Sequence, residues 1–183
     1  MKALNNSTSR QKAKGLVIVN TGNGKGKTTA ALGLLLRAWG HDMKVIMLQF
    51  IKRPTAEHGE HRAGRRLGIE VVAGGAGFTW RVKNLEKSQH LSLELWAVAR
   101  EKIYSGLYQM VILDELTYPL SYGWLPVAEV LDVLKNRPGH VHVVVTGRKA
   151  PLELVELADI VTDMREVKHC LKKGVKAQPG IEC

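Results

Sequence analysis

Cysteine is scarce in this sequence: its 183 residues include two, Cys170 and Cys183. A disulfide framework is therefore not indicated, and reduced thiols in a cytoplasmic protein are the expectation. His169 adjoins Cys170 directly, a spacing unsuited to metal ligation. No apolar run is long enough to span a bilayer, and residues 1–14 lack the hydrophobic stretch of a signal peptide, so no membrane partner is expected. Internal repeats and low-complexity segments are absent. The net charge is +10, yet the basic residues are not gathered into one tract. Their densest groups are Arg62, Arg65 and Arg66, and Lys168, Lys172, Lys173 and Lys176. No loop interleaves such cations with stacking aromatics, so nucleic acid is not an expected partner. A smaller polyanion, such as a nucleotide, fits the charge as well.

The length suits one compact domain with a core of its own. Residues 1–14 are polar and basic and read as a flexible arm, leaving 15–183 as the domain. Short apolar, β-branched runs at 15–20, 44–50, 69–73, 108–113, 140–146 and 160–164 predict strands. Helix formers or amphipathic spacing predict helices over 28–39, 86–104, 126–134 and 151–158. Residues 52–66 are polar and aperiodic, which predicts a long active-site loop with a helical turn at most. His58 and His61 within it are expected to be solvated. The tail from Lys168 to Cys183 is expected to be irregular. Strands alternating with helices predict an α/β fold, a mostly parallel sheet with helices on both faces.

The most informative segment is Thr21-Gly-Asn-Gly-Lys-Gly-Lys-Thr-Thr29. Gly26, Lys27 and Thr28 match the end of the phosphate-loop pattern, while Thr21 stands where its first glycine belongs. A strand before the loop and a helix after it supply the context that the mismatch removes. Gly22, Gly24 and Gly26 let the backbone approach an anion, and successive N–H groups at a helix N-terminus then converge on phosphate oxygens. Asn23, Lys25 and Thr29 belong to the same loop and helix start. Lys27 adds a point charge, and the Thr28 hydroxyl suits Mg2+, or Mn2+ in its place.

Asp114-Glu115 ends an apolar run, the pattern of the acidic pair that accompanies a phosphate loop. Carboxylates at the C-terminal edge of a parallel sheet lie where ligands bind. Adjacent strand residues face opposite ways, so the two side chains do different jobs. At this level a nucleic-acid-dependent ATPase, a small-molecule kinase and a nucleotide-gated binding module all remain open.

Longer strings narrow the choice. TGNGKGKTTAA, LQFIK, GFTW, LDELTY, NRPGH, VVTGR, LADIVT and VKHCLKKGVKAQPGIE occur in that order. Together they resemble the P-loop type of ATP:corrinoid (cob(I)alamin) adenosyltransferase over residues 15–182. The resemblance implies a RecA-like three-layer αβα sandwich and a homodimer. It also implies transfer of the 5′-deoxyadenosyl group of ATP to cobalt(I) of a corrinoid, with triphosphate as leaving group. An electron donor, such as a reduced flavoprotein, is implied as a partner. ATP is implied to bind in the reversed sense, with its distal phosphate on Gly22–Thr28. Thr28 and Glu115 are then the implied magnesium ligands, whereas the generic motif favours Asp114. Arg37 matches a position near the nucleotide, and Phe78 and Trp80 match aromatics that face the corrin ring and displace the lower axial ligand of cobalt. Two positions depart from the family pattern: Ala76 stands where Glu is common, and Cys183 ends the chain where an aromatic is frequent.

Overall fold

The computed structural model describes residues 14–77, 85–169 and 174–181. In chain order the elements are β1 (Val17–Thr21), α1 (Lys27–Trp39), β2 (Val45–Gln49), α2 (Gly59–Leu67), β3 (Glu70–Ala73) and α3 (Leu85–Tyr104). There follow β4 (Met110–Asp114), α4 (Thr117–Ser121), α5 (Val127–Asn136), β5 (His142–Thr146), α6 (Leu152–Leu157) and β6 (Ile160–Asp163). The strands form one six-stranded sheet in the order β3-β2-β4-β5-β1-β6. Every described pairing is parallel. This is the α/β architecture expected of a P-loop protein, with β5 separating the loop-bearing strand β1 from the acid-bearing strand β4.

The four inner strands, β2, β4, β5 and β1, are apolar along both faces because both faces are covered. Val17, Val19, Ile46, Leu48, Val111, Leu113, Val143 and Val145 pack on one side, against Leu95, Trp96, Ala99 and Ile103 of α3 and Val130, Val133 and Leu134 of α5. Their alternates Ile18, Val45, Met47, Met110, Ile112 and Val144 pack on the other side against Ala31, Leu35 and Ala38 of α1. Each large aliphatic so buried contributes about 1.5–3 kcal/mol, which holds the sheet as a rigid platform. At its base, the N–H of Val17 donates to Asp159 at 2.8 Å and that of Leu16 to His142 Nδ1 at 3.1 Å. Arg137 donates to the Gly15 carbonyl at 2.6 Å, which fastens the same corner.

The stretch 52–66 is not the long loop that its polarity predicts, because the nine-residue helix α2 begins at Gly59 and fills the second half of it. An apolar stripe does not seat this helix. At Gly64, a Cβ would lie 2.8 Å from Val71 Cγ2, so the missing side chain lets the helix backbone rest on β3. His61 is buried in that interface rather than solvated. The short helix α4 was likewise not predicted. The arm 1–14 lies outside the described residues except for Lys14, which pairs with Asp159 at 2.8 Å.

Candidate active site

The same alternation that builds the core delivers a set of polar side chains to one place. Asn20, Gln49, Asp114 and Thr146 lie at the C-terminal ends of β1, β2, β4 and β5, and each is at most 4% exposed. They share strand parity with Ile18, Met47, Ile112 and Val144, the residues that face α1. They therefore emerge beside the start of α1, where the glycine loop turns into the helix.

The loop is compact. At Gly22 the backbone φ is +93°, and a Cβ would lie 2.7 Å from the Met164 nitrogen. Only glycine fits there, because the chain leaving β6 crosses directly over the loop. Gly24 N–H donates to the Met164 carbonyl at 2.5 Å, so this N–H already has a partner. Lys27 was expected to reach out to ligand. Instead its ammonium folds back to donate to the carbonyls of Gly22 at 2.8 Å and Gly24 at 2.6 Å, and the residue is 7% exposed. An ammonium has three donors, so this leaves one for a phosphate oxygen. Burial lowers the Lys27 pKa, against the pull of Glu115.

Asp114 and Glu115 have different surroundings, because β4 ends at Asp114 and Glu115 lies just past it. Both oxygens of the fully buried Asp114 are held by side-chain donors. Its Oδ1 accepts from Thr28 Oγ1 at 2.9 Å and from Thr146 Oγ1 at 2.7 Å, and its Oδ2 accepts from Gln49 Nε2 at 3.1 Å. The Thr28 hydroxyl thus spends its one proton on Asp114, which leaves its lone pairs free to accept a cation. Glu115 has left the strand: its φ of +62° lies in the left-handed region, which costs a non-glycine residue about 1–2 kcal/mol. Its backbone N–H donates to Thr146 Oγ1 at 2.9 Å. Its Oε2 is buried and has no hydrogen-bond partner among the described residues. Desolvation, and then repulsion from Asp114, push this carboxyl up to about 7. An orphaned carboxylate oxygen and a hydroxyl with free lone pairs are each donors of the kind suited to magnesium, which takes hard oxygen ligands and completes its shell with water and phosphate. Among the described residues there is no cluster of three or more His, Cys, Asp or Glu, the set a closed zinc-type site needs.

The remaining expected residues fall in different places. Asn23, Lys25 and Thr29 are exposed on the loop and first helical turn. Arg37 is exposed in the last turn of α1, nine positions after Thr28 and so about 13 Å along the helix axis, and does not join the loop. Phe78 and Trp80 lie outside the described residues. The bend before them is tied to the end of β2: Gly74, Gly75 and Gly77 N–H groups donate to the carbonyls of Gln49, Lys52 and Ile51 at 3.1, 2.9 and 2.8 Å.

Three participants were not named from the sequence. Thr146 bridges Asp114 and the Glu115 backbone, and Gln49 holds the second oxygen of Asp114. Arg148, exposed just past β5, projects charge onto both Lys27 and Glu115. The available signal was a polar residue ending an apolar run, in VIMLQ and HVVVT as in VILD.

Comparison with known proteins fits this arrangement. The family model described as ATP:corrinoid adenosyltransferase BtuR/CobO/CobP matches residues 13–183. The corrinoid adenosyltransferase CobA of Salmonella typhimurium is 44% identical over 172 residues, covering 94% of this chain and 87% of that protein. A corrinoid adenosyltransferase of Pseudomonas aeruginosa is 42% identical over 171 residues, covering 92% and 84%. One of Sinorhizobium is 40% identical over 172 residues, covering 92% and 80%. With a phosphate loop, a divided acidic pair and relatives matched over nearly their whole length, the chain belongs to the ATP:corrinoid adenosyltransferase family.

Proposed function

We propose that this chain transfers the 5′-deoxyadenosyl group of ATP to cobalt(I) of a corrinoid, with the triphosphate held on Gly22–Thr28 and with Thr28 and Glu115 as magnesium ligands. The observation that carries the metal assignment is the contrast within the acidic pair. Asp114 has its oxygens committed to Thr28, Thr146 and Gln49, whereas Glu115 keeps a buried oxygen without a partner.

In the reaction, the cobalt(I) lone pair attacks C5′, the C5′–O bond breaks, and the bonding pair leaves with triphosphate. The chain's own groups act on the leaving group. The converging N–H donors of the loop, Lys27 and Arg148 oppose the charge that develops on it. Magnesium, when bound, supplies further neutralisation of the phosphate oxygens. Asp114 takes no part in bond-making; by accepting the Thr28 proton it leaves the hydroxyl lone pairs available, and these would accept a cation. The free Glu115 carboxyl has a raised pKa, so a cation that pairs with it relieves the cost of its burial.

On the cobalt side, the family resemblance supports Phe78 and Trp80 as a wall that excludes water and the lower axial ligand, making cobalt(II) easier to reduce. The same resemblance supports a homodimer, a cytoplasmic location and a reduced flavoprotein as electron donor. No helix among the described residues is long and apolar enough to cross a membrane. The deciding experiment is product analysis with Mg-ATP and chemically reduced corrinoid. A light-sensitive Co–C product with stoichiometric triphosphate is expected. ADP without alkylated corrinoid would replace this reading with a kinase or ATPase.

A further inference from the structure

We propose that Gln49 and His61 form a positioning pair that holds the Asp114 carboxylate, and through it the Thr28 hydroxyl, in place for the magnesium nucleotide. This rests on the magnesium site assigned above to Thr28 and Glu115.

Gln49 is fully buried at the end of β2, where a polar amide is tolerated only if its groups are paired. Its Nε2 faces Asp114 Oδ2 at 3.1 Å and Glu60 Oε1 at 3.3 Å, and its Oε1 faces His61 Nε2 at 2.6 Å. The two carboxylates decide which way the amide points, since reversing it would set its oxygen against both. The amide oxygen is then an acceptor, and His61 Nε2 must carry the ring proton. His61 Nδ1 stands between the Ala56 carbonyl at 3.1 Å, which draws a proton onto it, and the His58 N–H at 3.4 Å, which it can accept only without one. Charge on Asp114 and Glu60 thus fixes the amide, and the amide fixes a proton on His61 Nε2. Burial lowers the His61 pKa, against the hydrogen bond to the Ala56 carbonyl, which raises it.

The chain of contacts runs from α2 through β2 and β4 to α1. His61 and Glu60 are neighbours on α2, and Lys52 pairs with Glu60. Neither Gln49 nor His61 reaches the loop itself, so both act through Asp114. The carbonyl of Gln49 also accepts the Gly74 N–H at 3.1 Å, at the start of the bend that leads to Phe78 and Trp80. One residue therefore ties the magnesium side of the site to the segment assigned to the corrinoid. A loosened Gln49 would let Asp114 rotate, free the Thr28 proton, and misdirect the hydroxyl lone pairs.

The test measures the magnesium concentration needed for half-maximal ATP binding, by calorimetry, in folded His61→Leu, His61→Gln, Gln49→Met and the double variant. Losing the one neutral hydrogen bond of the pair should raise it roughly three- to tenfold in His61→Leu, and Gln49→Met, which also loses the charge-assisted contact to Asp114, should raise it at least as much. His61→Gln keeps an N–H at the Nε2 position and should stay within about twofold of the parent. Adding His61→Leu to Gln49→Met should have no further effect, because the contact is already gone. A residue that merely packs α2 would cost the same in both backgrounds, and that result, or parental magnesium dependence in His61→Leu, overturns the proposal. Should Gln49→Met not fold, His61→Asn decides it. Its shorter amide cannot reach Gln49 and should behave as His61→Leu, and equality with His61→Gln would overturn the pairing. Because the readout is ATP binding, a protein that binds Mg-ATP normally but forms no Co–C bond rejects the assigned reaction without touching this result.

Discussion

Glu115→Gln should make the metal-free protein more stable while it disables the nucleotide site. The carboxyl has a pKa of about 7, against 4.5 for an unperturbed glutamate. Between those values the folded protein keeps a proton that the unfolded chain has released, so stability falls as pH rises through the window. The shift corresponds to as much as about 3 kcal/mol, fully expressed only above pH 7 and absent well below 4.5. Glutamine fills the same space, keeps the same left-handed backbone and carries no charge. The variant should therefore match the parent in acid, exceed it increasingly as pH rises from about 4.5 to about 7, and keep a constant margin above that. Urea denaturation in chelator at a series of pH values measures this. With a slope of about 2 kcal/mol/M, the midpoints should separate by more than about 1 M at pH 8. In parallel, calorimetry should show Mg-ATP affinity reduced about tenfold or more, as for loss of a charge-assisted contact. Parallel stability curves at all pH values would refute the burial argument. Unaltered magnesium dependence would remove Glu115 from the metal.

Lys27→Ala should weaken ATP binding about ten- to a hundredfold, and it should also loosen the empty loop by freeing the Gly22 and Gly24 carbonyls, seen as faster amide exchange at residues 22–26. Unchanged exchange there would show that the ammonium does not hold the loop. His142 has a pKa lowered by burial and by Arg137, while its Nδ1 accepts the Leu16 N–H. A proton on the ring favours the unfolded chain, so stability should drop as pH falls below the ordinary histidine range. His142→Asn, which can keep an acceptor, should flatten that drop in thermal melts. An identical acid limb in the two proteins would place the cause elsewhere. Phe78→Ala and Trp80→Ala should keep ATP affinity but lower the fraction of four-coordinate cobalt(II) seen by electron paramagnetic resonance. Parental levels in both variants would remove these aromatics from the corrin side.

Much of the molecule can be read from the chain alone because the signals are local. Strand runs such as VIVNT and VILD are apolar on both faces, so the covered parallel sheet follows from them directly. The phosphate loop is equally legible, since its glycines, Lys27 and Thr28 are consecutive and their chemistry depends on a strand before and a helix after. Tertiary structure decided the rest, wherever a residue's role depends on a neighbour far along the chain. The segment holding α2 has no apolar period, and the helix forms because Gly64 can lie against Val71 of the adjoining strand. Asp114 and Glu115 are adjacent in sequence, and nothing local distinguishes them. They differ because Thr28, Thr146 and Gln49, brought in from other elements, fill the oxygens of Asp114, while a left-handed turn sends Glu115 elsewhere. Gln49 and Thr146 carry no motif of their own. Their parity with Asp114 becomes meaningful only when β2, β4 and β5 lie side by side, because hydrogen bonds across a sheet link residues that no spacing along the chain can reveal.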